Sequence, residues 1–398
     1  MKILQLCHKP PFPPVDGGAI AMNNITQGLL KMGHEVKVIT VSTKKHPLDL
    51  SSLSEDYKSS TLIEGVYIDT AVKRKDAFFN LFNKRSYNIE RFICKELGDK
   101  IEFTLKSNSF DLVIIEGLFV APYFKAIREN FEGKIVLRTH NVEFKIWERM
   151  GANASNPIKK NYLKLLAKRL KEFEVKTFNR VDAICAMTSI DSGVIGQLCN
   201  GVPIGTFPSG YLLQEENGEF NDVKEEKALF HIASMDWQPN QEAVDWFLNK
   251  VWPLVISKNK EAKIYLAGRE MPTRYKELKM LGVHIVGEVA VAREFYASKK
   301  IMVVPLLSGS GMRIKIIEGM AMGKTIVSTS VGAEGIQVTH EKNILIADTA
   351  EHFANQILRV LEDDDYCTEL SKNARELIAN EYNNDVVCDK FMQFVERL

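Results

Sequence analysis

The sequence contains no long apolar run and almost no net charge. None of its 398 residues begins the uninterrupted stretch of about 18 apolar side chains that a membrane-spanning helix needs. The N-terminal apolar run stops at Pro10, which is too early for a signal peptide. The 52 Lys and Arg are balanced by 51 Asp and Glu, which argues against a nucleic-acid partner. We expect a cytoplasmic protein, with the inner face of the membrane as the alternative location.

Cysteine is also scarce, and its spacing predicts neither disulfides nor zinc. The six residues form no CxxC pair and have no histidines at zinc spacing. The acidic run 362–365 contains a DxD pattern, but it lies between predicted helices, where carboxylates usually cap the next helix. We therefore predict reduced thiols, no metal site and no cofactor.

What the sequence has in quantity is short Val-, Ile- and Leu-rich runs that alternate with helical periods. In the first half, a helix is predicted over Ile20–Met32 and strands at Ile3–Cys7, Val36–Val41, Val66–Thr70, Leu112–Glu116, Ile135–Thr139 and Ala183–Thr188. In the second half, strands are predicted at Ala228–Ala233, Ile264–Ala267, His284–Val286, Ile301–Leu307, Thr325–Thr329 and Ile344–Ala347. This alternation predicts an α/β protein with two doubly wound, Rossmann-like parallel sheets.

A polar segment separates the two halves. It gives a predicted first domain over 1–206, a linker over 207–227 and a second domain over 228–380. Ligands of doubly wound sheets bind beyond the carboxyl ends of the strands. The candidates in the first domain are therefore the residues that follow its strands: Gly17, Gly18, Gly117, His140 and Thr188–Asp191.

The most informative stretch is 305–334, which is predicted to be a strand, a Ser/Gly turn and a helix. A helix N-terminus presents unpaired N–H groups and attracts anions, and Gly309 and Gly311 permit close approach of a ligand. On a helical wheel, Lys315 and Glu318 lie opposite the apolar arc and are predicted to face away from the core. Arg313 would lean back toward the N-terminus.

Two cations and one carboxylate in this arrangement suit a nucleoside diphosphate. Arg313 and Lys315 would neutralise the diphosphate, and Glu318 would accept hydrogen bonds from a ribose diol. A capped helix with a solvated Lys and Glu pair is the plainer interpretation of each residue alone. We prefer the binding site because loop, glycines, cations and carboxylate coincide.

The segment SGMRIKIIEGMAMGKTIVST, followed by GAEGI, resembles the donor-binding segment of glycosyltransferase family 4. These are retaining sugar-nucleotide enzymes with the GT-B fold, in which two Rossmann-like domains face each other across a cleft. The family has two Glu residues separated by seven positions; Glu318 matches the second, which contacts ribose, whereas Ser310 occupies the first, which contacts the donor sugar. The resemblance also places Gly311 and Met312 in the donor loop.

The same resemblance extends to the first domain. PPFPPVDGGA is similar to the loop through which the family contacts acceptor and diphosphate, which implies that Gly17 and Gly18 contact a ligand, although a glycine pair alone also fits a plain turn. The family has a His at the strand end near the donor sugar, so His140 is expected in the catalytic site, with Arg138 and Glu143 as orienting or acceptor contacts. The terminal helix, 381–398, is expected to pack back on this domain.

One loop departs from the family. In most members the first strand of the second domain is followed by a Gly-Arg and a later Lys that bind the diphosphate, whereas this chain has SMDWQPN. We expect Arg313 and Lys315 to supply the missing charges and to act catalytically on the leaving diphosphate. Trp237 is predicted to stack on a base or sugar, or equally to be a packing residue.

Two further predictions concern the loops of the second domain. Asn240 is predicted to cap a helix over Glu242–Asn249. Gly268 and Arg269 follow a predicted strand and are expected to line the base pocket, with a simple turn as the alternative.

The first domain also contains two basic stretches. Lys159–Arg180 has eight Lys and Arg against two Glu at amphipathic spacing, and Lys73–Arg91 mixes cations with phenylalanines. Such faces bind anionic lipid, although ordinary solvated helices are an alternative. They suggest peripheral membrane contact through the first domain.

The resemblance thus implies a retaining glycosyltransferase that moves a sugar from a nucleotide sugar to a glycan or lipid-linked acceptor, in cell-surface polysaccharide biosynthesis. The alternatives are a non-catalytic sugar-nucleotide or glycan-binding protein and a sugar-nucleotide epimerase, for which the sequence offers no convincing acid and base pair.

Overall fold

The computed structural model describes residues 1–73, 75, 79–80, 82, 85–154, 156–212, 223–309 and 311–398. The chain forms two compact units, the first made of Met1–Gly210 with Asn384–Leu398 and the second of Tyr211–Asn383. The division thus falls a little after the boundary predicted at residue 206. Ser310 and most of the predicted linker, 213–222, lie outside the described residues, as does part of the basic stretch 73–91.

The first unit is built on a seven-stranded parallel sheet in the order β3-β2-β1-β4-β5-β6-β7. Its strands are β1 (Lys2–Cys7), β2 (Glu35–Ser42), β3 (Glu64–Tyr67), β4 (Leu112–Glu116), β5 (Lys134–Thr139), β6 (Ala183–Ala186) and β7 (Ile204–Thr206). The central strands are buried on both faces, as expected of a parallel sheet covered by helices.

Helices lie between most of these strands. They are α1 (Gly17–Lys31), α2 (Glu55–Thr61), α3 (Tyr87–Glu90), α4 (Lys95–Ser107), α5 (Phe124–Asn130), α6 (Glu143–Ala152), α7 (Pro157–Phe178) and α8 (Ser189–Gly196), with 3-10 turns at Leu50–Ser52 and Leu118–Tyr123. Helix α1 begins three residues earlier than predicted, because the Asp16 side chain accepts a hydrogen bond from Ala19 N and caps the first turn.

The last helix of the chain, α16 (Asn384–Val395), belongs to the first unit because it packs on α1. Asn384 donates to the carbonyl of Asn24 at 2.8 Å. A Cβ added at Gly28 would lie only 2.1 Å from Cys388 Sγ, so the two helices are in close contact at this point. Val387 and Phe391 lie buried in the same cluster.

The second unit repeats the architecture with a six-stranded parallel sheet in the order β10-β9-β8-β11-β12-β13. The strands are β8 (Glu226–Ile232), β9 (Ile264–Ala267), β10 (Val283–Gly287), β11 (Lys299–Val304), β12 (Thr325–Ser328) and β13 (Leu345–Ile346). The helices are α9 (Gln238–Trp246), α10 (Trp252–Lys258), α11 (Thr273–Lys276), α12 (Ala292–Ala297), α13 (Ile314–Ala321), α14 (Ala350–Glu362) and α15 (Asp364–Leu377), with π-helical turns at Phe247–Val251 and Ile378–Tyr382.

The fold class predicted from the sequence, two doubly wound α/β units, is confirmed. Several boundaries differ. The strand expected at 66–70 lies at Glu64–Tyr67, and the three-residue β7 was not predicted because it is too short to show a period. Asp363 accepts from Tyr366 N and caps α15, so the acidic run does cap a helix. Among the described residues, no helix has the length and hydropathy of a membrane span.

Candidate functional site

The order of strands reverses at one point in each sheet, between β1 and β4 in the first unit and between β8 and β11 in the second. The connections on either side of such a point run to opposite faces of the sheet, which leaves a crevice at the carboxyl ends of the two strands. The polar residues predicted to be functional gather at these two places.

In the second unit, the loop between β11 and α13 folds closely around an Arg and a Trp. Gly309 and Gly311 have positive φ angles of 119° and 86°. A Cβ at Gly309 would lie 2.7 Å from Arg313 Nη2 and 2.8 Å from the ring of Trp237. Glycine is therefore needed at position 309 both for its backbone conformation and for space. Ser310, predicted to stand where the family has its first Glu, lies outside the described residues.

Arg313 immediately precedes α13 and is only 7% exposed. Its Nη1 donates to the carbonyl of Gly311 at 2.5 Å, and its Cζ lies 5.5 Å from the centre of the Trp237 ring. Trp237 itself is 40% exposed and precedes α9, so one aromatic face is held beside a guanidinium while much of the ring stays accessible. This pair spans the gap between the ends of β8 and β11.

Lys315 was predicted to face away from the buried side of its helix, and it does, but other elements of the unit contact it. Its Nζ lies 3.4 Å from both the carbonyl of Ile232, at the end of β8, and Asn240 Oδ1. Burial, followed by the neighbouring charge of Arg313, lowers the pKa of Lys315 to about 7. The wheel placed Lys315 correctly relative to its own helix, but β8 and α9 cover that side of the helix in the folded unit.

Glu318 is likewise half-buried rather than solvated. The Tyr296 hydroxyl donates to Glu318 Oε2 at 3.5 Å, and Tyr296 is buried. Burial raises the pKa of Glu318, and the hydrogen bond from Tyr296 and the charge of Arg293 oppose the rise. A carboxylate acceptor thus lies one turn deeper along α13 than the two cations.

The prediction that Asn240 caps a helix was wrong. Helix α9 starts earlier, at Gln238, because Pro239 fits the first helical turn, where its missing N–H costs nothing. Asn240 therefore lies inside the helix, where its amide donates to the carbonyl of Ser234 at 2.8 Å. Its oxygen faces Lys315, so the residue takes part in the cationic cluster instead.

The two residues after β9 differ in character. Gly268 has φ 145°, and a Cβ there would lie 1.7 Å from the carbonyl oxygen of Ala233. The loops after β8 and β9 therefore touch through their backbones. Arg269 is exposed, and its carbonyl accepts from Met235 N at 2.9 Å. Met312 is half-buried against an apolar cluster of the unit. The residues predicted to bind the donor thus lie just after the carboxyl ends of β8, β9 and β11.

In the first unit, the site is organised by a residue that the sequence analysis did not select, Glu116 at the end of β4. It is fully buried. Its Oε1 accepts from Arg138 Nη1 at 2.7 Å and from Gln5 Nε2 at 2.9 Å, and its Oε2 lies 2.9 Å from His140 Nε2. Burial by itself would raise the pKa of Glu116, but the charge of Arg138 and the hydrogen bonds outweigh it and lower the pKa to about 2. Glu116 is therefore an ionised anchor that orients His140.

His8 follows β1 and was also missed. Its Nδ1 lies 2.8 Å from the carbonyl of Glu116, and its ring centre lies 5.4 Å from that of His140. Burial, then the charges of His140 and Lys9, lower the pKa of His8 to about 3. The neutral ring donates through Nδ1–H, which leaves Nε2 as a hydrogen-bond acceptor. The signal that could have found His8 is its position just after a central strand, the same signal that selected His140.

The glycine pair lies beside a half-buried cation. Lys9 Nζ is 2.6 and 2.8 Å from the two carboxylate oxygens of Asp16, the residue that caps α1. A Cβ at Gly18 would lie 2.8 Å from Lys9 Nζ, so glycine makes room for the lysine. Gly17 is the first residue of the helix. The structure therefore gives this loop a fixed ammonium group at the carboxyl end of β1.

Two carboxyl groups at this edge of the sheet have pKa values raised toward neutrality. Burial raises the pKa of Glu143 to about 7 and that of Glu174 to about 8. Glu174 accepts from the backbone N–H groups of Glu143 and Phe144, both at 3.0 Å, and so caps the start of α6. Glu174 thus has a structural role at the start of α6. Among the described residues, no group of three His, Cys, Asp or Glu could hold a metal ion.

Residues 226–363 match the family model described as "Glycosyl transferases group 1". The matched region lies within the second unit and includes Trp237, Arg313, Lys315 and Glu318. The second unit thus contains a region that is similar to glycosyltransferase group 1 domains.

Other known proteins are similar to this chain along nearly its whole length. An uncharacterized 44.6 kDa protein in the cps region of Klebsiella pneumoniae is 22% identical over 399 residues, with 97% of both proteins covered. Anabaena HepE in complex with UDP has a TM-score of 0.70 at 14% identity, with 100% of both chains covered. Sucrose-phosphate synthase of Thermosynechococcus elongatus has a TM-score of 0.69 at 14% identity, covering 100% of this chain and 99% of that one. These similarities show the GT-B fold that the sequence predicted.

Proposed function

We propose that the protein is a retaining, family 4 glycosyltransferase that moves a sugar from a nucleotide diphosphate sugar to a hydroxyl of a glycan or lipid-linked acceptor. The observation that carries the proposal is the meeting of Arg313, Lys315 and Trp237 beside two glycines at the strand-order reversal of the second unit. The group 1 match supports glycosyl transfer, and the relative from a cps region supports a role in cell-surface polysaccharide synthesis.

The proposed donor site uses each group for one part of the nucleotide sugar. The diphosphate meets Arg313, Lys315 and the N-terminus of α13, where charge and unpaired N–H groups favour an anion. Glu318 accepts hydrogen bonds from the ribose diol, and the exposed face of Trp237 stacks on the base or the sugar. The solved complexes of HepE with UDP and with UDP-glucose support such a ligand.

The proposed chemical role of the second unit is to stabilise the leaving diphosphate. As the bond between the anomeric carbon and the diphosphate breaks, negative charge grows on the leaving oxygen. Arg313 and Lys315 are held by packing before the substrate arrives, so little reorganisation is needed when that charge develops. Two fixed cations take the part that a metal ion plays in other transferases, which makes the proposed reaction metal-independent.

In the first unit, the proposed role of His140 is to hold a hydroxyl of the reacting sugar. Its ring is fixed through Nε2 by the ionised Glu116, so Nδ1 is the atom that points to a ligand. His8 offers a second acceptor next to it. Glu143 is proposed as an acceptor contact, because its pKa of about 7 lets it accept or donate a hydrogen bond.

Non-catalytic binding of a sugar nucleotide is the second candidate. It is favoured by Ser310, which replaces the first family Glu, and by the loop 234–240, which lacks the usual Gly-Arg. An epimerase is less favoured, because Glu174, the carboxyl group next to Glu143, caps a helix.

A panel of UDP-, GDP- and ADP-sugars tests the proposal. Binding to the folded state raises the melting temperature by mass action, and slow hydrolysis of the donor reports bond cleavage. We expect stabilisation and hydrolysis with one nucleotide series, both lost in Arg313→Ala. The matched control is Arg359→Ala, which removes an exposed Arg of the same unit. Stabilisation without any turnover would favour the non-catalytic binder, and no stabilisation by any member would refute the donor site.

A further inference from the structure

Glu318, the residue assigned to the ribose, is contacted by a helix that none of the roles above uses. This helix is α12, the short segment between β10 and β11. The Tyr296 hydroxyl lies 3.5 Å from Glu318 Oε2 and 3.4 Å from the carbonyl of Lys315. A phenol has a single proton to donate, and an ionised carboxylate is a stronger acceptor than a carbonyl. The proton of Tyr296 is therefore directed to Glu318 whenever that group is charged.

The ring of Tyr296 is fixed by its surroundings. Only 2% of the residue is exposed, and its ring meets that of Phe230 edge to face at 5.2 Å. A Cβ added at Gly319 would lie 2.8 Å from Met302 Sδ and 3.7 Å from Tyr296 Cε1, so α13 lies close to both β11 and the tyrosine at this point. Because the ring is closely packed, its hydroxyl is in place before a ligand arrives.

Arg293 lies three residues before Tyr296 on α12, so the two side chains are neighbours on the surface of that helix. Burial raises the pKa of Glu318, and the positive charge that opposes this rise is that of Arg293. The same two charges act on Tyr211, whose pKa is raised by burial and then by the charge of Glu318, against the charge of Arg293. Arg293 is therefore close enough to Glu318 to favour its charged form.

The charge state of Glu318 decides what it can recognise. A carboxylate only accepts hydrogen bonds, and its two oxygens can accept from both hydroxyls of a ribose diol. A protonated carboxyl group carries a donor of its own and accepts more weakly. Because burial favours that neutral form, a fixed hydrogen-bond donor and a nearby cation are needed to keep Glu318 an acceptor. Tyr296 and Arg293 supply these two groups.

The same arrangement penalises a nucleotide that lacks one ribose hydroxyl. Glu318 is half-buried, so its carboxylate would lose a hydrogen bond without regaining full contact with water. The loss of a hydrogen bond to a charged group corresponds to about 10- to 100-fold in affinity. A carboxylate held in this way therefore distinguishes a ribonucleotide from a deoxyribonucleotide.

We propose that Tyr296 and Arg293 are positioning residues that make the donor site specific for ribonucleotides. Tyr296 orients the carboxylate of Glu318, and Arg293 keeps that carboxylate charged. Neither residue needs to touch the nucleotide. The inference rests on the donor site of the proposed function and extends that site to α12.

Calorimetric titration of the full chain with UDP, GDP and ADP, each beside its 2′-deoxy and 3′-deoxy counterparts, tests the inference. Wild type is expected to bind one ribonucleotide about 10- to 100-fold more tightly than its deoxy forms. Tyr296→Phe keeps the ring and removes the hydroxyl, so this ratio should fall at least about fivefold while the affinity for the deoxy forms is retained. Arg293→Gln should lower the ratio in the same way, whereas Arg293→Lys, which keeps the charge, should retain most of it.

Tyr265→Phe is the matched control, because it also removes a hydroxyl that is bonded to a carboxylate of the second unit. The hydroxyl of Tyr265 donates to Glu226 Oε1 at 3.2 Å. Glu226 begins β8, whereas Ile232, at the other end of that strand, contacts Lys315. The control variant should therefore keep the wild-type ratio.

Three results would overturn the inference while nucleotide binding itself stands. They are equal affinity of wild type for ribo- and deoxyribonucleotides, a ratio that Tyr296→Phe and Arg293→Gln leave unchanged, and an equal loss of both affinities in Tyr296→Phe. The last result would assign Tyr296 to packing alone. No binding of any nucleotide by wild type would instead refute the donor site of the proposed function, and this inference with it.

Discussion

Lys315 should make donor binding depend on pH near neutrality. In the free protein its pKa is lowered to about 7, first by burial and then by Arg313, so above that pH the ammonium group is mostly deprotonated. A bound diphosphate next to it favours the charged form. Donor binding above pH 7 should therefore be accompanied by uptake of one proton, and affinity should fall as the pH rises.

The size of the effect follows from that pKa. Each pH unit above the pKa of the free group costs about a factor of ten in affinity, or roughly 1.4 kcal/mol. Between pH 7, where half of the free lysine is still charged, and pH 9 the loss should approach about 50-fold, provided that the bound lysine stays protonated. The free protein should show the opposite trend, because a lysine whose pKa is lowered by folding binds fewer protons than in the unfolded chain. Its contribution to the free energy of unfolding therefore rises with pH from about 7 to about 10.

Calorimetric titration with the preferred nucleotide sugar, at several pH values and in buffers of different ionisation enthalpy, measures both affinity and proton uptake. A sugar diphosphate diester keeps its charge over this range, so the phosphates of the ligand contribute no titration of their own. Lys315→Arg is the matched variant, because a guanidinium remains charged and should bind with a flat pH profile. An affinity of the wild type that is constant from pH 6 to pH 9, with no proton uptake, would refute the reasoning.

Further predictions concern the anchor, a loop and the stacking residue. Glu116→Gln leaves the buried Arg138 without its carboxylate and should lower the free energy of unfolding by about 3–5 kcal/mol in urea titrations. Any protein that folds should lose the turnover that depends on His140. A change in the free energy of unfolding below about 1 kcal/mol would show that the pair is dispensable. Gly268→Ala should prevent folding or lower the melting temperature strongly, because its Cβ would lie 1.7 Å from a backbone oxygen, whereas Gly193→Ala, with open space around its Cβ, should be neutral or stabilising. Trp237→Ala should weaken donor binding about tenfold through lost stacking, measured by the same titration, and unchanged affinity would make the ring a packing residue only.

The sequence was sufficient to predict the architecture because local residue patterns determine the strands and turns. Strands β4 and β9 were predicted to the residue, since each is a continuous apolar run bounded by polar or glycine residues. The loop with Gly309 and Gly311 was identified because glycine at a strand-to-helix turn permits backbone conformations that other residues avoid. The positive φ angles of both glycines agree with that prediction. Asp363 as a cap followed from the same local chemistry.

Burial and long-range pairing could not be predicted in this way. Lys315 and Glu318 were placed opposite the apolar arc of their helix, but a helical wheel describes a single helix and could not show that the end of β8, α9 and Tyr296 contact that face. Glu116 looked like the last residue of an apolar strand. Its partners Gln5, Arg138 and His140 lie on or just after two other strands, so nothing near it in sequence marks it as an anchor.

The sequence by itself therefore determined the two parallel sheets, the turn that approaches a ligand and the types of charge available there. The tertiary structure decided which of those charges are buried, which are neutral near pH 7, and which meet across neighbouring strands. The physical reason is that hydrophobic period and turn chemistry act over a few residues, whereas desolvation and charge pairing depend on side chains brought together from distant parts of the chain.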